Sequence, residues 1–312
     1  MKGGSVQRPS LKIIILGLSI TSSWGNGHAT TYRGLVRELL RRGHQVTFLE
    51  RDEPWYAANR DLPAPQEYAR LYTSLEDLKK RFEREVREAD FVMIGSYVPE
   101  GVEVAEWVIR TSTGLTGFYD IDTPVTLSRL ESSEALYLTK ELIPRFDLYL
   151  SFTGGPILEK LAQRYGAKVP IPFYCSFDPQ RYAPKPCEQV WDLGYMGTYS
   201  QDRQPALEEL FLKPAVSWRA GRFIAAGPLY PEGTVWPQNV LRISHLNPAE
   251  HRDFYSAQRF TLNITRSEMV RAGYSPSVRL FEAAGCAAPI ISDYWEGIET
   301  ILEPGREILI SR

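Results

Sequence analysis

Residues 266–293 read RSEMVRAGYSPSVRLFEAAGCAAPIISD, and this stretch determines how the rest of the chain is interpreted. It follows an apolar run, residues 260–264 (FTLNI), that is typical of a buried β-strand. Ser275 before Pro276 is a helix-start signal, because proline is favoured in the first turn of a helix. The sequence therefore predicts a strand followed closely by a short helix that begins near Pro276.

The predicted helix start is suited to binding an anion. Free backbone N–H groups and the positive end of the helix dipole favour negative charge there, and Arg266, Ser275 and Ser277 add side-chain donors. Glu282 lies two turns further along, where its carboxylate can accept hydrogen bonds from the hydroxyls of a ribose or sugar. A phosphate site at one end and a hydroxyl site at the other predict binding of a nucleotide-sugar.

The residues from Ser275 to Asp293 follow the pattern Ser-Pro-Ser-x-Arg-Leu-Phe-Glu-Ala-Ala-x-Cys-x-x-Pro-Ile-Ile-Ser-Asp. This pattern resembles the donor-binding segment of glycosyltransferases with the GT-B fold, and it is most similar to their CgeB-like, or spore-maturation-protein-like, branch. Many GT-B relatives have an acidic residue eight positions before the family glutamate, where this sequence has Tyr274. The same residues also fit a buried helix-strand connection of any α/β protein, so other segments must decide between the two interpretations.

Length and composition limit the number of domains and the class of partner. A chain of 312 residues is long enough for two domains, and 43% hydrophobic residues with 12% aromatics are ordinary for a folded protein. A net charge of −2 and a pI near 6.2 provide no global attraction to nucleic acid or to an anionic membrane. We therefore expect no nucleic-acid partner.

Cysteine and histidine spacing indicates neither a disulfide framework nor a metal site. Cys175, Cys187 and Cys286 form no Cys-x-x-Cys pair, and the four histidines show no ligand spacing. The apolar run Leu11–Leu18 is too short for a signal peptide or a membrane span. A cytoplasmic protein with no metal, no cofactor and no transmembrane segment is the expectation.

The first half of the chain has the strand-helix rhythm of a parallel sheet. Leu11–Gly17 is a continuous apolar run, a helix is predicted from about Thr30, and Gln45–Glu50 is the next strand. The loop between them contains Gly25-x-Gly27 and has Glu50 some twenty residues on, which mimics a dinucleotide-binding fingerprint. The loop is too long for that turn and its third glycine position is Thr30, so a nicotinamide enzyme is disfavoured.

The length of this loop suits it to line one side of a wide cleft. GT-B transferases present this loop to donor and acceptor, so the resemblance implies an acceptor-side role for Asn26 and Gly27 and a catalytic role for His28. The alternative for His28 is a helix cap or a hydrogen-bonded structural group.

Asp120 and Asp122 follow a predicted strand, Leu115–Tyr119. Ligands of open parallel sheets lie beyond the carboxyl ends of the strands, so both aspartates are candidates for a base or for binding sugar hydroxyls. Either can instead form an Asx turn or a helix cap before Pro124. Their Asp-x-Asp spacing leaves a metal-using role open.

Residues 173–190 are rich in proline and have no periodicity, which is typical of a domain linker. They resemble the GT-B interdomain signature at Asp178, Tyr182 and Pro184. We predict an N-terminal acceptor-side domain at 1–172, a linker at 173–190 and a C-terminal nucleotide-sugar-binding domain at 191–312. GT-B proteins usually continue with helices that return to the first domain, and the resemblance implies that this sequence lacks them.

The second half restarts the rhythm with a predicted strand at Asp192–Gly197, and the resemblance implies that Gly197, Thr198 and Arg203 lie near the donor diphosphate. The prediction is an α/β protein of two doubly wound, Rossmann-like domains facing across a cleft. Its expected activity is metal-independent transfer of a sugar from a nucleotide-diphosphate donor to an unknown acceptor. A sugar-nucleotide epimerase and a non-catalytic nucleotide-sugar-binding protein are the alternatives.

Overall fold

The structure, a computed structural model, describes residues 9–62, 67–132 and 137–311. Its strands form two separate sheets of seven and six strands, and all strand pairs within them are parallel. Among the described residues, none of the helices has the length and apolar character needed to cross a bilayer.

The first sheet has the strand order β3-β2-β1-β4-β5-β6-β7. Its strands are β1 Lys12–Leu16, β2 Gln45–Arg51, β3 Ala69–Tyr72, β4 Phe91–Gly95, β5 Leu115–Asp120, β6 Leu148–Ser151 and β7 Pro170–Pro172. Its helices are α1 His28–Arg41, α2 Pro54–Ala57, α3 Leu75–Glu88, α4 Gly101–Thr111, α5 Thr123–Glu131 and α6 Pro156–Tyr165, with a 3-10 turn at Ile143–Arg145.

The second sheet has the strand order β10-β9-β8-β11-β12-β13. Its strands are β8 Trp191–Met196, β9 Phe223–Ala226, β10 Val240–Ile243, β11 Gln258–Asn263, β12 Ile290–Asp293 and β13 Leu309–Ser311. Its helices are α7 Gln204–Leu207, α8 Lys213–Ser217, α9 His251–Ser256, α10 Ser267–Ala272 and α11 Val278–Gly285, with a π-helical segment at Glu208–Leu212 and 3-10 turns at Pro248–Glu250 and Ile298–Thr300.

Both sheets are covered on both faces. In β1, Ile14 and Leu16 belong to one apolar cluster while Ile13 and Ile15 belong to another. In β9, Ile224 and Ala226 likewise face one cluster and the alternate residues the other. Because successive side chains of a strand point to opposite faces, a continuous apolar run such as 12–16 requires helices on both sides. This three-layer arrangement agrees with the predicted doubly wound domains.

In each sheet the strand order reverses beside the first strand. The chain moves from β1 toward β3 in one direction and continues at β4 on the other side, and it does the same at β8 and β11. The loops that leave neighbouring strands at such a point diverge and open a crevice at the carboxyl edge of the sheet. Both halves of the molecule therefore present a ligand crevice at the edge predicted from the sequence.

Direct contacts join the two halves beside these edges. The Thr153 and Ser275 hydroxyls lie 2.7 Å apart, and the Gly154 N–H donates to the Tyr274 carbonyl at 2.9 Å. Arg37 of α1 forms an ion pair with Asp178 of the segment that connects the two sheets. The crevices of the two sheets are thereby held against each other.

Several predicted boundaries were wrong. The helix after β11 starts at Val278 with Ser277 as its N-cap residue, since a separate short helix, α10, occupies 267–272. Strands β3 and β7 were not predicted. Pro170 and Pro172 suggested a non-strand segment, but β7 lies at the edge of its sheet, where a missing N–H is tolerated.

Candidate functional site

Two adjoining cavities of about 150 Å³ and about 430 Å³ lie between the carboxyl edges of the two sheets. Both are lined from the first sheet by the loop after β1 and from the second by the loop after β8 and the start of α11. The residues lining both cavities are Gly25, Asn26, Gly27, Thr198, Val278 and Arg279. The cavities therefore form one continuous cleft.

Three arginines converge on the larger cavity. Arg203, Arg266 and Arg279 line it, and the Nε atom of each is buried without a hydrogen-bond partner among the described residues. Burial, together with the neighbouring Arg279 and Arg266 guanidinium groups, lowers the pKa of Arg203. Buried like charges are unfavourable unless they are compensated, so the cluster is suited to receive an anion such as a diphosphate.

Short loops hold these arginines in position. The Arg203 Nη2 donates to the Thr198 carbonyl within the loop that follows β8. The Asp202 carboxylate accepts a hydrogen bond from the Ser267 N–H at 2.8 Å and so joins this loop to the first turn of α10, directly after Arg266. Arg279 donates from Nη2 to the Ile264 carbonyl at 3.2 Å. The Arg203 and Arg279 guanidinium groups are therefore preorganised by backbone contacts, while Arg266 is positioned through the backbone that follows it.

Glu282 lies at the other end of the cleft and lines the smaller cavity. Its side chain is buried, and its Oε2 accepts a hydrogen bond from the Tyr255 hydroxyl at 3.2 Å. The nearby His251 Nδ1 lies 4.0 Å from the same oxygen and 3.0 Å from the Tyr182 hydroxyl. Burial raises the pKa of Glu282 to about 7, against the opposing effect of hydrogen bonds from Tyr182 and Tyr255. Burial also lowers the pKa of His251 to about 4, so this imidazole is neutral at pH 7.

His28 and Asp122 lie together in the larger cavity. The His28 Nε2 is 3.8 Å from the Asp122 Oδ2, and the buried His28 Nδ1 has no hydrogen-bond partner within the described part of the chain. His28 is the first residue of α1 and Asp122 is the N-cap residue of α5, so both lie at helix starts beyond the strand ends. The Tyr97 ring contacts His28 edge-on with 5.6 Å between ring centres.

Asp120 has a different environment from Asp122. It is fully buried and lines neither cavity, and it accepts hydrogen bonds from the hydroxyls of Ser96, Thr126 and Tyr149 at 2.9, 2.7 and 2.6 Å. Burial raises its pKa. The predicted catalytic role does not fit this position, because both oxygens are engaged in joining β4, β5, β6 and α5. No group of three or more His, Cys, Asp or Glu side chains within residues 9–62, 67–132 and 137–311 is arranged to hold a metal ion.

The remaining predicted donor residues divide into two groups. Gly197 and Thr198 line the cleft, and Ser277 lines the larger cavity while its hydroxyl donates to Asn263 at 2.7 Å. Ser275 lines neither cavity, since its hydroxyl is fully buried against Thr153 and the Gly273 carbonyl. Ser275 is therefore a contact between the two halves rather than a donor ligand.

The loop after β1 faces the cleft through Asn26 and Gly27, as predicted from the sequence. The Asn26 Oδ1 also accepts from the Ala29 N–H at 3.1 Å in the first turn of α1. Glu50 is fully buried and accepts from the Ile20 and Thr21 N–H groups at 2.7 and 2.9 Å. Because the carboxylate holds the loop itself, the apparent dinucleotide fingerprint has a structural explanation.

Sequence reasoning missed several residues of the cleft. Arg279, which has no predicted role, belongs to the family pattern, follows Ser277 by two positions and lines the larger cavity. Tyr97, two residues beyond the end of β4 at Gly95, has a backbone φ of 65° and lines the larger cavity. A bulky residue in this left-handed region is rare and is a useful signal of function, but it is visible only in the structure.

Comparison with known proteins agrees with this geometry. Residues 203–312 match the family model described as "Glycosyl transferase-like". No curated protein sequence gives a significant match to the chain. The C-terminal third is therefore glycosyl transferase-like by sequence, while the rest of the chain is compared by structure.

Several solved structures resemble the whole chain in fold. An α-glucosyltransferase in complex with UDP-glucose and DNA containing an abasic site has a TM-score of 0.65 at 14% identity, over 96% of this chain and 84% of that one. Anabaena HepE in complex with UDP-glucose has a TM-score of 0.65 at 13% identity, over 96% and 85%. Sucrose-phosphate synthase from Thermosynechococcus elongatus has a TM-score of 0.59 at 13% identity, over 96% and 85%. The fold is thus GT-B, with two Rossmann-like domains facing across a cleft.

Proposed function

We propose that the protein is a glycosyltransferase that moves a sugar from a nucleotide-diphosphate donor to an acceptor hydroxyl. The observation that carries this proposal is the cluster of Arg203, Arg266 and Arg279 in an interdomain cleft whose far end holds the buried Glu282. The family match of residues 203–312 and the UDP-glucose bound in similar structures support the same donor class.

In this proposal the donor spans the cleft. The arginines and the start of α11 bind the diphosphate, because guanidinium groups and helix N-termini match its charge. Glu282 accepts hydrogen bonds from the ribose hydroxyls, with Tyr255 holding its carboxylate. Gly197 and Thr198 supply a close backbone wall next to the phosphates.

The reaction exchanges one bond at the anomeric carbon of the sugar. The bond from that carbon to the diphosphate oxygen breaks, and a bond to the acceptor oxygen forms. The diphosphate takes the electron pair and leaves as an anion that the three arginines stabilise without requiring a metal. The acceptor hydroxyl loses its proton, and His28 or Asp122 is the proposed recipient because both line the larger cavity.

Calorimetry with UDP-glucose tests the proposal. We expect saturable binding to the wild-type chain and a loss of at least tenfold in affinity for Glu282→Ala, since a buried partner of the ribose is removed. Glu299→Ala, at an exposed acidic residue of the same half, is the matched control. Unchanged affinity in Glu282→Ala would show that this carboxylate does not bind the donor.

The two alternatives give different products. A transferase releases UDP in an acceptor-dependent manner, an epimerase converts the donor sugar without releasing UDP, and a binding protein does neither. Chromatography of the donor with and without an acceptor mixture separates the three outcomes.

Several finer features remain proposals. We propose membership of the CgeB-like branch on the residues from Ser275 to Asp293, and a domain division at 1–172, 173–190 and 191–312. A cytoplasmic location and the lack of a nucleic-acid partner stay predictions from composition. Because a similar structure contains DNA, titration with duplex DNA is the direct check of the second prediction.

A further inference from the structure

Tyr274 occupies the position at which the sequence departs from the family pattern, eight residues before Glu282. Its side chain lines neither cavity of the cleft. Its backbone has a φ of 48°, in the left-handed region that bulky residues rarely adopt. Such a conformation persists only where the surrounding structure holds it, so the contacts of Tyr274 indicate what the residue does.

The backbone of Tyr274 joins the two halves of the molecule. Its N–H donates to the Glu296 carbonyl at 2.5 Å, in the loop that follows β12 of the second sheet. Its carbonyl accepts from the Gly154 N–H at 2.9 Å, in the loop that follows β6 of the first sheet. A single residue is therefore hydrogen-bonded to a loop of each sheet.

The Tyr274 ring lies between two glycines, one from each half. A Cβ atom built on Gly155, the N-cap residue of α6, would lie 2.4 Å from the ring Cδ2. A Cβ atom built on Gly297, which precedes the 3-10 turn after β12, would lie 2.4 Å from the ring Cδ1. Both glycines have a positive φ, of 58° and 88°. The ring therefore requires glycine on both sides.

This contact adjoins the residues proposed to carry out the reaction. Helix α10 ends two residues before Tyr274 and contacts α5 of the first half. Arg266 is the N-cap residue of α10, and Asp122 is the N-cap residue of α5. Both residues line the larger cavity. The distance between a donor-binding arginine and a proposed proton acceptor thus depends on how the two halves pack at Tyr274.

We infer that Tyr274 is a positioning residue of the proposed transferase, whose ring fixes the two halves in the arrangement that places Asp122 opposite the arginine cluster. The residue acts through the packing of the halves, since its side chain lines neither cavity. The adjoining Thr153 and Ser275 hydroxyls, 2.7 Å apart, add a directional bond to the steric contact of the ring. This inference rests on the proposed function, because it concerns the geometry of the same cleft.

Double electron–electron resonance between nitroxide labels on the two halves tests the inference. The labels are attached to the full chain at Glu85→Cys in α3 and at Glu209→Cys in the π-helical segment, both at exposed positions. Cys187→Ser removes the exposed native thiol. The same background without the two introduced cysteines measures residual labelling at the other native cysteines.

Three substitutions in this labelled chain separate the ring from its backbone. Tyr274→Gly removes the ring and suits the left-handed conformation, and we expect a distance distribution at least twice as wide as that of the parent chain. Tyr274→Phe keeps the ring and should retain the parent distribution. Leu229→Gly is the matched control, because Leu229 has a φ of 68°, is exposed and lines neither cavity.

An unchanged distribution in Tyr274→Gly overturns the inference, and so does equal broadening in Tyr274→Phe or Leu229→Gly. Thermal unfolding verifies that each variant folds. Tyr274→Asn, which also tolerates the left-handed region, replaces Tyr274→Gly if that variant does not fold, and the same broadening is expected.

Calorimetry with UDP-glucose on the unlabelled chains separates this inference from the proposed function. We expect affinity to fall at least tenfold in Tyr274→Gly, because only the fraction of molecules with correctly packed halves binds a donor that spans the cleft. Tyr274→Phe and Leu229→Gly should stay within threefold of the wild type. Unchanged affinity in Tyr274→Gly overturns the positioning role. A wild-type chain that does not bind UDP-glucose loses the proposed function, whereas the distance measurement still decides whether Tyr274 fixes the halves.

Discussion

The Glu282 carboxyl has a pKa of about 7 because it is buried, so the proposed donor site should be sensitive to pH. Its pKa is about 7 in the folded chain against an ordinary value of 4.5. The folded state therefore binds this proton more tightly than the unfolded state does. The contribution of Glu282 to the free energy of unfolding falls as pH rises from about 4.5 to about 7 and is constant above that range.

We predict that Glu282→Gln removes this pH dependence. The difference in free energy of unfolding between the variant and the wild type should grow in favour of the variant from pH 5 to pH 7, because an amide has no proton to lose. Urea unfolding at several pH values measures the difference. Comparison with the wild type at each pH cancels the titration of other groups such as His251. A pH-independent difference would contradict the raised pKa.

In the wild type, the affinity for the donor should show the opposite pH dependence to that of stability. Ribose hydroxyls donate best to the ionised carboxylate, so affinity for UDP-glucose is expected to rise about tenfold between pH 6 and pH 8. Calorimetry at pH 6, 7 and 8 measures this rise. Glu282→Gln is expected to show a flat profile, and a parallel rise in both proteins would assign the effect to another group.

The arginine cluster supports a second residue-level prediction. Arg266→Met should weaken UDP-glucose binding about 10- to 100-fold, because a charge-assisted hydrogen bond contributes about 1.5–3 kcal/mol. Stability should not fall, because the substitution relieves repulsion among three neighbouring cations, of which Arg203 is buried and Arg266 and Arg279 are half-buried. Arg271→Met is the control on the same helix, since this side chain is 72% exposed and its Nη2 lies 3.9 Å from Glu268. If both substitutions weakened UDP-glucose binding equally, the loss at Arg266 would not result from its position in the cleft.

The sequence predicts which loops form the site better than it predicts which side chains face the cleft. Asp120 and Asp122 are two positions apart and were indistinguishable by pattern, yet Asp120 joins strands in the core and Asp122 lines the cavity. Ser275 and Ser277 diverge in the same way. Such differences depend on partners 24 to 122 residues away in the chain, which local patterns cannot encode.

At the level of elements, continuous apolar strands were predicted well and short or proline-containing ones were not. β1, β2 and β8 were located to within one residue at each end. In β1, burial on both faces requires an uninterrupted apolar run, which is visible in the sequence. β3 and β7 lie at the edges of the first sheet, where burial is weaker and the sequence constraint is correspondingly looser. Their strand character comes from pairing with a neighbour and not from their own composition.

The packing of α1 against the linker gives an element-level prediction. A Cβ atom at Gly34 would lie 3.0 Å from the Phe177 carbonyl carbon, so the helix approaches the linker backbone closely. Alanine normally stabilises a helix by about 1 kcal/mol relative to glycine, whereas overpacking costs about 1–3 kcal/mol. We expect a net destabilisation of about 1 kcal/mol for Gly34→Ala, measured by urea unfolding.

Gly233→Ala is the matched control for that substitution. No atom lies within 4 Å of a Cβ built at Gly233, and its backbone is not in the left-handed region. Its stability should stay within about 0.5 kcal/mol of the wild type. If Gly34→Ala stabilised the protein, the linker at Phe177 would move away from α1 without cost. The close approach of Gly34 to Phe177 would then not fix the linker against α1.

For the molecule as a whole, the cleft requires the two sheets to act together. The residues proposed to bind the donor come from the second sheet, while the loop after β1 lines both cavities from the first. A donor that fills the cleft must contact both halves, and the existing contacts at Thr153–Ser275 and Gly154–Tyr274 already hold them close. Binding should therefore slow motion in segments that belong to different sheets.

Hydrogen exchange measured by mass spectrometry tests this coupling. We predict that UDP-glucose slows amide exchange in residues 22–30 of the first half and in residues 197–203 and 276–282 of the second. The charged helix α3 has no lining residue in either cavity and serves as the internal reference that should not change. Protection confined to the second half would show that the donor binds one domain alone, in which case the loop after β1 contacts only the acceptor. Protection of both halves would instead mean that a filled donor site also orders the loop after β1, which carries His28 into the same cleft, before the acceptor arrives.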